Sequence, residues 1–300
     1  MIQLFVDIET GDPDDIEALI YLLGVDHIKI IGITLLPGSQ GQINLVKFIL
    51  SKFSGKQDIP IGSYKYDKSD IGMWYKKAFK NIPDYTDKTI VIDAGELMLK
   101  LCDENTILFT GGPNKNLGKA MKQGKLNLGT WVAQGGFAGY NVVPKEYILK
   151  KFENKLTFPT YNFGGSQPES YNALNYDGIK KKILCSKNVC HNVLYDDNLK
   201  NKLQEYILAN DNKNTNKYIS IKLIYDSMKN GYSNNHRGHN KKLHDILPAI
   251  SISYPDVCEW REVELYYNKT GWGSNIKEGT NTFISVNYNN DKFIEYLLKD

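Results

Sequence analysis

The sequence predicts a single-domain α/β fold with a mostly parallel central sheet, helices on both faces and an open, Rossmann-like strand arrangement. Three observations predict it. Apolar strand segments alternate with amphipathic helix segments from the start of the chain, which implies right-handed parallel crossovers. The strand segments repeatedly end in glycine or polar residues. The 300 residues suffice for one large α/β domain, which we assign to 1–300.

The first strand segment covers residues 2–6 and runs directly into acidic residues. It is followed by DPDDIEALIYLLG, whose apolar residues have helical spacing and whose Asp14 and Asp15 fall in the first turn, where carboxylates suit the helix dipole. The segment IKIIGITLLPGS predicts a buried strand, NLVKFILSKF an amphipathic helix and IPIGSY a third strand. Ligands of such sheets bind at the carboxyl ends of the strands.

The second half of the chain is less regular. Residues 141–162 are irregular and aromatic, and ILCSKNVCHNVLY resumes the strand pattern. Residues 209–242 are the most polar part and predict an insertion or a mobile helix-loop unit, which we call the lid segment. LHDILPAISISYPDV predicts a buried helix, and VELYYNKTGWGS with TFISVNYNND predicts a terminal hairpin. There is no repeat and no domain boundary.

Charge and cysteine content narrow the class of function. The 37 Lys and Arg against 34 Asp and Glu give a formal charge of +3, which provides no broad field for nucleic acid or anionic lipid. We therefore expect a small-molecule partner and a local site. The spacing of the four cysteines matches no zinc pattern. We therefore expect them to be free or buried thiols, as is usual in a reducing compartment. Since there is neither a signal peptide nor a membrane span, we expect a cytoplasmic protein.

Five acidic residues crowd the junction of the first strand and helix. Like charges at such a place are costly unless a cation neutralises them. A hard divalent ion with oxygen ligands explains the cluster, and its position at the carboxyl end of a strand favours a site. A solvated acidic turn with one helix cap is the other interpretation. The cluster consists of Asp7, Glu9, Asp12, Asp14 and Asp15.

Two families begin in a similar way. FVDIETG resembles the first motif of proofreading-type 3′–5′ exonucleases, whose Asp-x-Glu pair holds two magnesium ions. That family also places a His or Tyr a few residues before an Asp on a later helix. Here His244 and Asp245 are adjacent, so this resemblance ends with the first motif.

The resemblance to the inosine–uridine-preferring nucleoside hydrolases extends much further. That family opens with an Asp-x-Asp-x-Gly turn and an Asp-Asp pair, which Asp7 to Gly11 and Asp14-Asp15 resemble with one extra residue. Further segments resemble the family in the same order over residues 1–250, as a divergent member would. These segments are GITLLPGS, IPIGSY, ILFTGGPNKNLGKAM, WVAQGG, GYNVVP and LHDILPAI.

The resemblance implies calcium-dependent hydrolysis of a ribonucleoside to ribose and free base, with an activated water and an oxocarbenium-like transition state. It also implies homodimers or homotetramers, and it assigns three groups of site residues. The implied catalytic residues are Glu9, which we favour as general base, Asp7, which supports it or replaces it, and His244, near the leaving base. The implied calcium ligands are Asp7, Glu9, Asp15, Asp245 and a backbone carbonyl near Thr110. The implied substrate-binding residues are Asp14, Asn141, Asn162, Asp245 and Ser39, which stands where the family has Asn.

Several positions depart from the family pattern. After Tyr64 the family's His-Gly-x-x-Gly segment is missing, and Trp74 and Tyr75 are either stacking groups for a base or core residues. The Glu-Phe-Asn that contacts ribose in the family appears as Thr160-Tyr161-Asn162. A catalytically inactive nucleoside-binding relative is therefore a further alternative.

The loss of that glutamate raises the possibility of a 5′-phosphorylated or otherwise modified substrate, with Arg237, Lys241 and Lys242 nearby. His236, Arg237 and His239 either cover the pocket, if the lid segment closes, or form an exposed basic loop.

Overall fold

A large β-sheet flanked by helices forms the centre of the protein. The computed structural model describes residues 1–85, 91–232 and 240–299. The strands are β1 (Ile2–Glu9), β2 (Ile28–Leu36), β3 (Ile61–Ser63), β4 (Ile92–Asp93), β5 (Ile107–Thr110), β6 (Leu128–Gln134), β7 (Thr157–Phe158), β8 (Ile179–Cys185), β9 (Leu194–Tyr195), β10 (Lys241–Lys242), β11 (Cys258–Asn268), β12 (Gly271–Ile276) and β13 (Thr282–Tyr288). The helices are α1 (Pro13–Leu23), α2 (Gln40–Leu50), α3 (Met73–Ala78), α4 (Ala94–Leu101), α5 (Lys115–Gln123), α6 (Tyr161–Gly164), α7 (Gln167–Leu174), α8 (Lys187–Cys190), α9 (Asp197–Ala209), α10 (Asn216–Gly231), α11 (Ile246–Ser251) and α12 (Asn290–Leu298).

The order of strands in the main sheet is β4-β3-β2-β1-β5-β6-β8-β13-β11-β12-β7. Neighbouring strands are parallel from β4 to β13, and β11, β12 and β7 extend the sheet in antiparallel fashion. Strands β9 and β10 form a separate small antiparallel pair. The predicted fold class, an α/β domain with a mostly parallel sheet, is confirmed.

Strand β1 shows why the sheet is covered on both faces. Its Leu4, Val6 and Ile8 belong to one buried cluster, and Phe5 belongs to the other. Successive side chains of a strand point to opposite faces, so β1 is buried on both, as is usual in parallel sheets. Asp7 is the one carboxylate in the middle of this strand, and it is equally buried.

Helix α1 follows β1 after a short turn and is buried along its whole length. Asp12 is its N-cap residue, and Pro13 occupies the first helical position, where its missing N–H costs nothing. The first turn therefore carries Asp14 and Asp15 into the protein interior rather than into solvent. Burial of this kind makes the neighbours of each carboxylate decisive.

The polar segment 209–242 contains a packed helix. The α10 residues Ile221, Ile224 and Met228 are buried in the same cluster as α1. His236, Arg237 and His239 lie outside the described residues, and the assignment of a lid stays a prediction.

The C-terminal strands differ from the predicted terminal hairpin. The hairpin consists of β11 and β12, which together cover VELYYNKTGWGS and residues on both sides of it. TFISVNY forms β13, which inserts between β8 and β11 and pairs with β8 in parallel, Thr282 opposite Lys182. A strand partner 100 residues away in sequence leaves no local signal.

Across the described residues, no helix has the length and apolarity that a membrane crossing would need.

Candidate functional site

A pocket of about 380 Å³ lies at the carboxyl ends of β1, β5 and β6, where ligands of parallel sheets bind. It contains most of the predicted acidic residues together with polar and basic residues from the second half of the chain. Its lining residues are Glu9, Gly11, Asp12, Asp14, Asp15, Gly111, Gln134, Thr160, Tyr161, Asn162, Lys187, His191, His244 and Asp245.

Two carboxylates, those of Asp15 and Asp245, meet at Gly111, just beyond the end of β5. A Cβ atom on Gly111 would lie 2.9 Å from Asp15 Oδ1 and 3.3 Å from Asp245 Oδ1, so a residue without a side chain leaves the space between them. Asp15 Oδ1 also accepts a hydrogen bond from the Glu9 backbone N–H at 3.1 Å. The buried Oδ1 of Asp245 has no hydrogen-bond partner in the described part of the chain. Glu9, Asp15 and Asp245 all line the pocket, and we call these three residues the carboxylate triad.

The carboxylate triad is short of positive charge. Burial, and next the charge of Glu9, raises the pKa of Asp15 well above its usual range. Burial, and next the charge of Asp15, does the same to the pKa of Asp245. The pKa of Glu9 rises to about 7 through burial and the charges of Asp12 and Asp14. Clustered carboxylate oxygens, one of them unpartnered, are the donor set of a hard divalent cation, and the triad fits such an ion.

Asp7 lies behind the pocket rather than in its wall. Its Oδ1 accepts hydrogen bonds from Thr34 Oγ1 at 2.8 Å and from Asn116 Nδ2 at 2.7 Å. Burial raises the pKa of Asp7 to about 7, although these two hydrogen bonds oppose the shift. Asn116 belongs to the segment ILFTGGPNKNLGKAM that resembles the family, but no role was assigned to it from the sequence. Its contact with a strand residue 109 positions earlier leaves no local signal.

Asp14 has the positive neighbours that the carboxylate triad lacks. Its Oδ1 lies 3.2 Å from Lys241 Nζ, and its Oδ2 accepts from the His244 backbone N–H at 2.7 Å and lies 3.2 Å from His244 Nδ1. Burial acts to raise the pKa of Asp14, but the His244 hydrogen bond and the Lys241 charge outweigh it and hold that pKa well below its usual range. Lys241 Nζ also pairs with Asp12 Oδ2 at 2.9 Å.

Asp12, Asp14 and His244 offer ligand atoms within 4.8 Å of one another, which a metal ion could also use. Lys241 already supplies a cation to two of them. In the described residues, the carboxylate triad does not bring three ligand atoms this close together. We nevertheless take the triad as the candidate metal site, because its carboxylates have no cationic ion-pair partner of their own in that part of the chain. Lys241 was grouped from the sequence with a possible phosphate contact, and the structure pairs it with two carboxylates instead.

Of the predicted sugar-binding residues, Asn162 lies in the pocket and two others do not. Asn162 Nδ2 donates to Gln134 Oε1 at 2.7 Å and also to the carbonyl of Gly111. Asn141 is exposed and donates to the Ser274 carbonyl at 2.9 Å, outside the pocket lining. Ser39 is the buried N-cap of α2, in a capping box with Gln42.

Thr110, predicted to offer its carbonyl to calcium, is buried at the end of β5 directly before Gly111. Its Oγ1 accepts from Trp131 Nε1 at 2.9 Å, so the side chain is engaged within the fold. Trp74 and Tyr75 pack against each other with ring centroids 5.1 Å apart, and the Tyr75 hydroxyl donates to the Asp12 carbonyl at 2.7 Å. Neither lines the pocket, so the interpretation as core residues is the better one.

Basic residues from the middle of the chain also line the pocket, and no sequence pattern predicted them. Lys187 and His191, on and just after α8, are lining residues. His191 Nδ1 is hydrogen-bonded to Lys151 Nζ, and its ring centroid lies 5.1 Å from that of His244. Burial, then the charge of His244, holds the pKa of His191 well below its usual range.

A larger groove of about 600 Å³ lies elsewhere, lined by residues at the start of β8 and β13 among others. These are the amino ends of the parallel strands, the edge opposite to that at which such sheets bind ligands. Its Lys277 and Glu264 pair with each other. Size alone favours this groove, but chemistry and strand direction favour the pocket at the carboxylate triad.

The whole chain shares its fold with the nucleoside hydrolases, and the fold expected from the sequence resemblance is confirmed. Three solved structures illustrate this. The purine-preferring ribonucleoside hydrolase from Gardnerella vaginalis superposes with a TM-score of 0.67 at 16% identity, covering 99% of this chain and 96% of that one. The inosine-uridine preferring nucleoside hydrolase from Bacillus anthracis superposes with a TM-score of 0.66 at 15% identity, covering 99% of this chain and 98% of that one. A plant nucleoside hydrolase superposes with a TM-score of 0.70 at 14% identity, covering 99% of this chain and 97% of that one.

Comparison of sequences alone is less specific. No model of a known protein family matches the chain. An uncharacterized protein from Aquifex aeolicus (strain VF5) is 24% identical over 302 residues, covering 97% of this chain and 96% of its own length. The likeness thus extends over the full length at a low level of identity.

Proposed function

We propose that the protein is a calcium-dependent nucleoside hydrolase that cleaves the N-glycosidic bond of a ribonucleoside to give ribose and a free base. The observation that carries the proposal is the carboxylate triad in the pocket at the carboxyl edge of the sheet, where Asp15 and Asp245 both approach Gly111. Neighbours with the same fold are named for purine-preferring and inosine-uridine preferring hydrolysis. The sequence resemblance and the fold therefore favour the same chemistry.

The calcium ion would be held by Glu9, Asp15 and Asp245, with the carbonyl of Thr110 as a further ligand. Asp245 contributes an oxygen without a hydrogen-bond partner in the described residues, and Gly111 leaves the space clear. When bound, the ion supplies the charge that neutralises these carboxylates and makes a water more acidic. Asp7 supports the site without contacting the ion, since its side chain is outside the pocket lining and accepts hydrogen bonds from Asn116 and Thr34.

Glu9 acts as the general base. Among the candidates it is the half-buried carboxylate that lines the pocket, whereas Asp7 is buried and bonded within the fold. It takes a proton from the water whose oxygen attacks C1′ of the ribose. The bond from C1′ to the base nitrogen breaks, and its electron pair leaves with the base.

His244 assists the departing base. With both ring nitrogens protonated, Nδ1–H donates to Asp14 Oδ2, 3.2 Å away, and fixes the ring. Nε2 has no hydrogen-bond partner among the described residues, so its proton is available to a nitrogen of the base. Asp14 thereby positions the acid as well as contacting the sugar.

The ribose hydroxyls are bound by Asp14, Asn162 and Asp245, which lie together in the pocket. Asn141 and Ser39 are left out of this proposal because their contacts lie outside it. A homodimer or homotetramer and a cytoplasmic location stay predictions.

The test is a panel of purine and pyrimidine ribonucleosides assayed for released reducing sugar and free base, with and without a calcium chelator. We expect sugar and base in equal amounts, lost on chelation and restored by calcium. Binding of nucleosides without release of base would instead indicate an inactive relative. Single-stranded DNA serves as the control substrate, and its degradation in magnesium would favour the exonuclease alternative.

A further inference from the structure

A second group of side chains at or near the pocket is basic and contains three lysines. It consists of Lys151, Lys187, His191 and Lys242, which we call the basic group. Lys187 and His191 line the same pocket as the carboxylate triad. Lys151 is hydrogen-bonded to His191, and Lys242 follows Lys241 in β10. One pocket therefore combines a candidate site for a cation with the ammonium group of Lys187, and the charges of Lys151 and Lys242 are close enough to act on that group or on each other.

The charge of the basic group is not compensated by the protein. Lys241 has two carboxylate partners, whereas in the described ranges no carboxylate forms an ion pair with Lys151, Lys187 or Lys242. Lys187 Nζ donates to the Pro159 carbonyl at 2.7 Å, a neutral acceptor.

Burial and the uncompensated positive charge lower the pKa of two of the lysines, Lys151 and Lys187. Burial, then the charges of Lys242 and Lys187, lowers the pKa of Lys151 to about 8. Burial and the charge of Lys242 also lower the pKa of Lys187. A bound anion would relieve this repulsion and stabilise the folded chain.

Residues beside Lys187 make room for an anion. Lys187 contacts Pro159, and the next residue is Thr160, which stands where the resembled family has a ribose-contacting glutamate. A carboxylate there would repel an anionic group, and threonine does not. Thr160 lines the pocket, and its buried Oγ1 has no hydrogen-bond partner in the part of the chain that the structure describes.

We propose that the basic group and Thr160 bind a phosphate carried by the ribose, so that the preferred substrate is a nucleoside 5′-monophosphate rather than the plain nucleoside. This inference rests on the proposed function and names its substrate class. A phosphate dianion matches several ammonium groups better than a single carboxylate would. The pocket of about 380 Å³ is within the range of small-molecule sites.

The test compares kcat/KM of the calcium-loaded enzyme for inosine and uridine with the values for their 5′-monophosphates. We expect the monophosphates to be preferred by about tenfold or more, the effect of losing one charge-assisted contact. In Lys187→Met and Lys151→Met that ratio should fall towards one. Lys150→Met is the matched control, because Lys150 is an exposed neighbour in the same turn as Lys151 and is outside the pocket lining.

Calorimetry with inorganic phosphate separates this inference from the proposed function. If plain nucleosides are hydrolysed at least as well as their monophosphates, the inference is overturned and the proposed function stands. If neither is hydrolysed but phosphate binds to the wild type and not to Lys187→Met, the anion site stands and the proposed function fails. If phosphate binds equally to wild type and Lys187→Met, or to neither, the inference is wrong.

Discussion

Asp14 and Asp15 are consecutive residues with opposite electrostatic surroundings. Asp14 faces Lys241 and His244, and its pKa is lowered against the effect of burial. Asp15 faces Glu9 and Asp245, and its pKa is raised. The first turn of α1 directs these two identical side chains to different neighbours. Asp14 is therefore an ion-paired carboxylate and Asp15 is a candidate metal ligand.

Glu9→Gln tests the assignment of the general base. We expect kcat to fall by about 100-fold or more, the usual contribution of a general base, because the amide cannot accept the proton of the attacking water. Glu104→Gln, an exposed substitution of the same type, is the control and should leave kcat unchanged. Full activity of Glu9→Gln with calcium still bound would transfer the role to another group.

Lys241→Met tests whether Lys241 is the counter-ion of Asp14. Its removal leaves a buried carboxylate with one cationic neighbour fewer, and breaking a buried ion pair costs about 3–5 kcal/mol of unfolding free energy. Because Asp12 and Lys241 are partly exposed, we expect the lower end of that range or less in urea denaturation at pH 7. Lys242→Met, one residue along β10, is the control. A loss no larger than that of the control would contradict the pairing.

At the scale of elements, the site depends on how the ends of β1 and β5 meet the start of α1. Gly111 follows β5, and its backbone N–H donates to the Asp7 carbonyl at 2.9 Å, which keeps the two strand ends in register. A side chain at this position would point at Asp15 and Asp245. The shape of the strand end is therefore part of the proposed metal site.

Gly111→Ala should weaken calcium binding while the protein still folds, because its Cβ would lie 2.9 Å from Asp15 Oδ1 and displace that carboxylate. Calcium titration by calorimetry measures the effect, and we expect a loss of about tenfold or more in affinity. Gly164→Ala is the control, since a Cβ there meets no atom within 4 Å. Equal calcium affinity in the two variants would exclude Gly111 from the site.

The sequence predicted the local elements well and the long-range contacts poorly. The order β1–α1–β2–α2–β3 followed from apolar periodicity. One pocket is lined by six of the predicted site residues, Glu9, Asp14, Asp15, Asn162, His244 and Asp245. The roles of these residues stay predictions. Asn141 and Ser39 were assigned from motif order alone, and their partners are Ser274 and Gln42.

Lys187 and His191 line the pocket but were not predicted from the sequence. They carry no motif, and α8 brings them to the pocket only when β8 is in place beside β6. Periodicity reports which residues are buried, whereas the partner of a charged residue depends on the assembled sheet.

At the scale of the whole molecule, the carboxylate triad joins residues from both ends of the chain, so metal binding and folding are coupled. Without calcium, the raised pKa values of Glu9, Asp15 and Asp245 mean that their contribution to stability is full below the unfolded value, about 4. This contribution is lost as the pH rises through the folded pKa values, which for Glu9 means about 7. In the proposed calcium-bound form, the ion takes the place of those protons and removes the loss.

We therefore expect the difference in Tm between calcium-loaded and chelated protein to widen from pH 5 to pH 8. Groups away from the site titrate alike in both forms and cancel in this difference. Differential scanning calorimetry at fixed free calcium checks it. A difference that is constant or shrinks with rising pH would contradict a calcium site built from these carboxylates.

The most direct test of the central claim is a calcium titration of chelated protein in which bound calcium and the rate of ribose release from a nucleoside, or from its 5′-monophosphate, are measured in the same samples. Our account predicts one ion per chain and a rate that rises in proportion to it, with both lost in Asp245→Asn. Undiminished ribose release from the chelated protein, or calcium binding that survives Asp245→Asn unchanged, would contradict it.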